Sequence, residues 1–186
     1  MSISGCGTAI NVYPDDGEDE SDAEPEGCDA STNTWGDEVL FVCTERLSVT
    51  EAVVGRIVVG NFTFLNYHSV WTHVENVCLR SIGPNTLADG VNEVIIDVTN
   101  WTLEPIAVTA PWPADGRICV DLPMTIGAAS IETLTVSIQT SGASSANRQF
   151  QFEITANSDV TVNADVSEPV VGDFPIRSDA VTILGN

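Results

Sequence analysis

The sequence predicts an all-β protein, a single antiparallel sandwich or barrel of short strands behind an acidic N-terminal arm. Three observations carry this. Segments rich in Val, Ile, Thr and Phe recur at roughly ten- to twelve-residue intervals, divided by Gly, Pro, Asn and Asp. No run of ten or more residues repeats with a period of 3.6, so no helix is expected. Composition changes abruptly near Trp35, before which acidic residues, prolines and glycines leave almost no apolar periodicity. The boundaries that follow are an arm over 1–36 and one sandwich domain over 37–186, a length that suits one core rather than two.

Taken in order, the expected strands are EVLFVCTERL (38–47), AVVGRIVVG (52–60), SVWTHVENVCLR (69–80), NEVIIDVTNW (92–101), EPIAVTA (104–110) and GRICVDLP (116–123). The clearest is IETLTVSIQT, where Leu134, Val136 and Ile138 alternate with Thr133, Thr135, Ser137 and Gln139. QFQFEITA places Phe150, Phe152 and Ile154 opposite Gln149, Gln151 and Glu153, and VTVNADV alternates in the same way from Val160. A period of two with β-branched residues marks half-buried strands. GASSAN (142–147) reads as a hairpin loop between two of them. SEPVVGDFPIRSD (167–179), with Pro169 and Pro175, reads as a crossing segment that lets the last strand, DAVTIL (179–184), rejoin a distant neighbour.

The chain carries 27 acidic residues against 6 basic ones, for a formal charge of −21. Nine of the carboxylates lie in DDGEDESDAEPEGCD (15–29), yet the remaining 18 still outnumber the cations, so the acidity is global. All six cations are arginine and there is no lysine. In dilute buffer such a charge works against the compact state. At molar salt the Debye length falls to about 3 Å and the repulsion is screened. An acid-rich, lysine-free chain therefore resembles proteins of extreme halophiles. The same charge excludes nucleic-acid binding, which needs clustered cations, and a direct grip on anionic lipid.

No nucleophile elbow, HExxH, P-loop or dinucleotide fingerprint is present. From Asp15 the glycine falls at the third position rather than the sixth, so the acidic stretch is not an EF-hand loop. His68 and His73, the only histidines, are five apart in an expected strand and leave it on opposite faces. No apolar run approaches the ~18 residues of a membrane helix. The first residues lack a basic and apolar leader, so synthesis into a cytoplasm is expected, and ISGC (Ile3 to Cys6) is too near the start to act as a lipoprotein box. Five cysteines without CxxC spacing allow two readings: buried free thiols, or disulfides formed outside the cell. Cys119 faces the polar side with Arg117 and Asp121, where a thiol is either a liability or a cross-link. Asn61 and Asn100 begin glycosylation sequons.

A sandwich of this size with an extended arm, no catalytic set and a halophile's charge resembles the smaller major capsid proteins of icosahedral, internal-membrane-containing viruses of halophilic archaea, the sphaerolipovirus group. The resemblance spans the whole chain through size, composition and strand rhythm rather than a motif, so no functional positions carry over. It implies a jelly roll of about eight core strands standing upright in the virion capsid, and no enzymatic activity, cofactor or small-molecule substrate. Its implied partners are a second copy in a homodimer, a larger jelly-roll capsid protein and the viral internal membrane layer. Under this reading Asp15, Asp16, Glu18, Asp19 and Glu20 form an inter-subunit arm. Cys6, Cys28 and Cys119 are disulfide candidates, within or between subunits, and arginines pair with carboxylates across seams. Two alternatives share the strands and the salt adaptation: a decoration or tail protein of a tailed halophilic virus, and a cell-surface adhesin or binding sandwich.

Overall fold

The computed structural model describes Cys28 and residues 39–99, 104–140, 147–163 and 170–184. The strands are β1 (Leu40–Glu45), β2 (Glu51–Val53), β3 (Arg56–Asn66), β4 (Thr72–Ile82), β5 (Val91–Val98), β6 (Ile106–Thr109), β7 (Arg117–Ile126), β8 (Ile131–Thr140), β9 (Gln149–Ile154), β10 (Val160–Val162), β11 (Val170–Val171), β12 (Ile176–Arg177) and β13 (Val181–Leu184). Among the described residues, helical backbone is confined to a 3-10 turn at Asn157–Asp159. The acidic arm and its boundary at residue 36 lie outside the described residues, Cys28 excepted.

Two sheets pack face to face. One has the order β11-β1-β3-β8-β5-β6; the other runs β10-β4-β9-β13-β2, with β7 also on β4 and β12 on β9. The chain is thus an all-β sandwich, though its sheets are mixed rather than purely antiparallel. The parallel pairs, β1 with β11 and β13 with β2, each involve a strand of only two or three residues at a sheet margin. At the centre, β3 pairs with β8, β4 with β7 and β5 with β6, all antiparallel. These pairs form a nested ribbon of three rungs, alternate rungs lying in opposite sheets, a pairing shared with jelly rolls. β1 extends the first sheet beyond β3, and β9 with β13 extends the second beyond β4. The resulting order, β1-β3-β8-β5 facing β4-β9-β13, also matches the ABED and CFG sheets of an immunoglobulin-type sandwich.

The alternating residues point as their period requires. Leu134, Val136, Ile138, Phe150, Phe152 and Ile154 are fully buried between the sheets, with Phe62 and Phe64 from β3. Two irregularities explain where simple alternation is lost. In β3 the register shifts between Val58 and Gly60, so Ile57 and Val59 face inward before it and Phe62 and Phe64 after it. In β4 a shift between Val74 and Asn76 does the same for Val74 and then Val77 and Leu79.

The segment 52–60, expected as one strand, breaks at Gly55, whose φ of 145° is open to glycine but not to side-chain-bearing residues. There β2 leaves the second sheet and β3 enters the first. Thr140 fastens the corner: its Oγ1 accepts from Gly55 N–H (3.0 Å), and its own N–H donates to Gly55 O (2.9 Å). GASSAN is not a hairpin turn, because β8 and β9 lie in opposite sheets; the loop's own residues 141–146 are outside the described set. The crossing segment 167–179 contains β11 and β12 and delivers β13 to β2, a strand far away in sequence, as expected.

Gly172 shows how closely that crossing packs. A Cβ there would lie 2.5 Å from the Val42 carbonyl oxygen and 2.9 Å from Ile176 Cδ1. Gly172→Ala is expected to cost about 1–3 kcal/mol by pushing β11 off β1, read by urea unfolding in high salt. An unchanged midpoint would show that this crossing yields without cost.

Candidate interaction surfaces

The two disulfides are built on the outer faces of the two sheets. Cys78 and Cys119 are directly opposed on β4 and β7, with Cα atoms 4.0 Å apart, so period-two geometry aims both sulfurs outward at the same point. Cys28 joins Cys43 of β1, which points away from the core side chains Leu40 and Val42 and so anchors the root of the arm to the outer face of the first sheet. The free-thiol reading and the inter-subunit role of Cys119 both give way here. Cys28 and Cys119 are engaged within the chain, which leaves Cys6, outside the described residues, as the fifth cysteine.

Beside the Cys78–Cys119 bridge, the outer face of the second sheet carries a row of charged side chains in register. Arg117 of β7 is opposite Arg80 of β4, Arg80 is opposite Glu153 of β9, and Glu153 is opposite Arg177 of β12. Half of the chain's cations therefore occupy one line across four strands. Arg177 Nε donates to Glu153 Oε2 at 3.0 Å, Arg117 Nη2 donates to Asp159 Oδ1, and Arg80 Nε donates to the Asp115 carbonyl at 3.2 Å. Asp159 is held from its other side by the N–H groups of Thr155 and Ala156, both 3.0 Å from Oδ2. Arg117 and Arg177 thus each hold an ion pair inside the chain. The cations stay on the outside: the side chains of Arg117 and Arg177 are 47% and 58% exposed, those of Asp159 and Glu153 only 8% and 7%.

A second surface lies at the sandwich end where β3 meets β4 and β7 meets β8. Asn66 Nδ2 donates to the carbonyls of Val70 (2.9 Å), Ile126 (3.2 Å) and Gly127 (3.0 Å), while its Oδ1 accepts from His68 N–H (2.9 Å). The Ala129 N–H to His68 O bond completes the tie between the two loops. This framework holds Val70, Trp71 and Ile131 in the open, with Trp71 64% exposed. His68 is buried beneath it, in the loop rather than in the strand assigned to it from sequence. His73 is on exposed strand surface, with Nδ1 2.8 Å from Thr125 Oγ1.

A third group, Val49, Val53 and Leu184, is exposed at the opposite end, where Val53 and Leu184 are paired across β2 and β13. The seven residue steps from Val58 to Leu65 along β3 separate the two ends by about 23 Å.

Other features are structural. Asp89 closes the turn before β5; hydrogen bonds from the Thr86 N–H, and then from its hydroxyl, hold its carboxyl below the ordinary value. A shallow cleft between β5, β6 and β7 is lined by Ile96, Val98, Ile106 and Leu122, with Asp97 and Glu104 at its rim. Among the described residues no group of three or more His, Cys, Asp or Glu is placed to hold a metal ion, and no helix is long and apolar enough to cross a membrane. Asn61 sits mid-strand in β3 with its side-chain oxygen buried, whereas Asn100 and the candidate arm residues Asp15, Asp16, Glu18, Asp19 and Glu20 fall outside the described residues.

The arginine row and the Asn66 framework were not visible in the sequence as sites. Arg117 on an outward strand face was legible; that Arg80 and Arg177 align with it was not.

No family model and no curated protein matches this chain. Among solved structures it is similar to one described as "AvmM Catalyzes Macrocyclization in Alchivemycin A Biosynthesis", at 8% identity over 81% of this chain and 90% of that one, with a TM-score of 0.40. A likeness that slight carries no argument about what this chain does.

Proposed function

We propose that the chain is a structural subunit of a halophilic virus shell, of the smaller major capsid protein type, acting through contacts with its neighbours. The observation that carries this reading is the presence of two exposed apolar groups at opposite ends of one acidic sandwich. Val70, Trp71 and Ile131 are exposed at one end, and Val49, Val53 and Leu184 at the other. Contiguous exposed apolar surface marks contact sites, and at the second end Val53 and Leu184 are direct neighbours across β2 and β13. Contacts at opposite ends extend an assembly beyond a closed pair, as a shell also must. The outer-face disulfides suit a particle that works outside a reducing cytoplasm. They equally suit a cell-surface binding sandwich, which is the second reading.

The mass of the native species in about 3 M salt separates the two. Light scattering is expected to find a particle of many subunits that dissociates, and whose chains then unfold, as salt falls below about 1 M and screening weakens. A monomer or dimer in high salt would overturn the shell and leave the surface sandwich. Full stability in dilute buffer would overturn the salt adaptation.

A further inference from the structure

We infer that the row formed by Arg117, Arg80, Glu153 and Arg177 is the acceptor for the acidic arm of a neighbouring copy, an extended carboxylate-rich peptide; this rests on the shell reading above. The row has the charge layering such a ligand needs. Its own carboxylates, Glu153 and Asp159, are buried beneath the guanidinium groups that meet solvent; Asp115 is an exposed carboxylate at its rim, and Asp121 is another on the same face, four residues along β7 from Arg117. Arg80 and Arg177 each spend only Nε on the chain, so among the described residues their terminal N–H groups have no partner. Those groups form the fork that takes a carboxylate through two parallel bonds.

The dimensions agree as well. Three interstrand steps from Arg117 to Arg177 span about 14 Å. An extended peptide covers that in four or five residues. Within 15–20, every residue but Gly17 is a carboxylate. On a chain of charge −21, a block of nine carboxylates meets repulsion over most of any neighbour, and the row gathers half of the available cations.

The placement of the arm's root supplies the direction. Cys28 is tied to the outer face of the first sheet through Cys43, whereas the row lies on the outer face of the second. An arm leaving one subunit from its first-sheet side would meet the second-sheet side of the next. That is a heterologous contact, repeated around a shell rather than closed within a symmetric pair.

The test uses full-length chains in high salt and reads the protein concentration at which the assembly dissociates. Arg80→Glu is the informative change, because Arg80 forms no ion pair with either buried carboxylate, and the variant's melting temperature checks that a carboxylate opposite Glu153 leaves the fold intact. It is expected to raise the dissociation concentration about five- to tenfold, and D15R/D16R/E18R to do likewise. An equimolar mixture of the two variants should assemble as wild type does, since each arm then meets a complementary row on the other chain. Arg56→Glu, the same charge change on β3, should leave assembly unaltered. If wild type is monomeric, the shell reading fails and this inference with it. If wild type assembles but the variants match it, the mixture does not recover, or Arg56→Glu is equally damaging, the arm-to-row contact alone is overturned.

Discussion

Replacing Cys78 and Cys119 together by serine is expected to remove about 4 kcal/mol of stability and to lower the melting temperature by roughly 8–16 °C. The bridge closes a loop of 41 residues, and constraining that loop in the unfolded chain is the source of the estimate. The loss falls on β4 and β7, one rung of the nested ribbon and the strands that carry Arg80 and Arg117. Calorimetry in high salt, on the double-serine chain against wild type, makes the measurement. A shift under about 3 °C would mean that the β4–β7 ladder already restricts the unfolded ensemble and the bridge adds little. The 15-residue separation between Cys28 and Cys43 corresponds to about 3 kcal/mol by the same reasoning.

Asn66→Ala is expected to cost about 3–5 kcal/mol, because it removes four hydrogen bonds at once and strands carbonyls of two loops. No single aliphatic or acidic residue replaces it. Aspartate presents only acceptors to three carbonyl oxygens, so Asn66→Asp should be at least as damaging. The readouts are the denaturant midpoint and protease cleavage within 67–71 and 127–130. If both loops stay resistant and the midpoint moves by less than about 1 kcal/mol, water has taken over the role of the amide. The consequence for the proposed function is direct: with the loops untied, the exposed Val70 and Trp71 would no longer be held in fixed positions.

Much of the fold was legible because alternation is a local property. Leu134, Val136, Ile138, Phe150 and Phe152 could be assigned to the core from the chain alone, since a strand sends successive side chains to opposite faces whatever its neighbours are. The same logic put Cys119, Arg117 and Asp121 on one outer face, where they are found to lie. The errors came where local pattern and pairing part company. Register shifts in β3 and β4 interrupted the period. The loop between β8 and β9 joins strands that lie in different sheets, although they look like the two arms of a hairpin.

By itself the sequence determined the β class, the inward face of each main strand, the acidity and the lack of a recognisable catalytic motif. These follow from composition and a two-residue period. Only the tertiary structure decided the partners: which strand lies beside which, that Cys119 meets Cys78 rather than a neighbouring subunit, and that Arg117, Arg80, Glu153 and Arg177 fall on one line. The physical reason is that a strand's exposed N–H and C=O groups are the same whatever its sequence. Pairing is therefore chosen by how all the apolar faces close over one core at once, and no segment carries that choice alone.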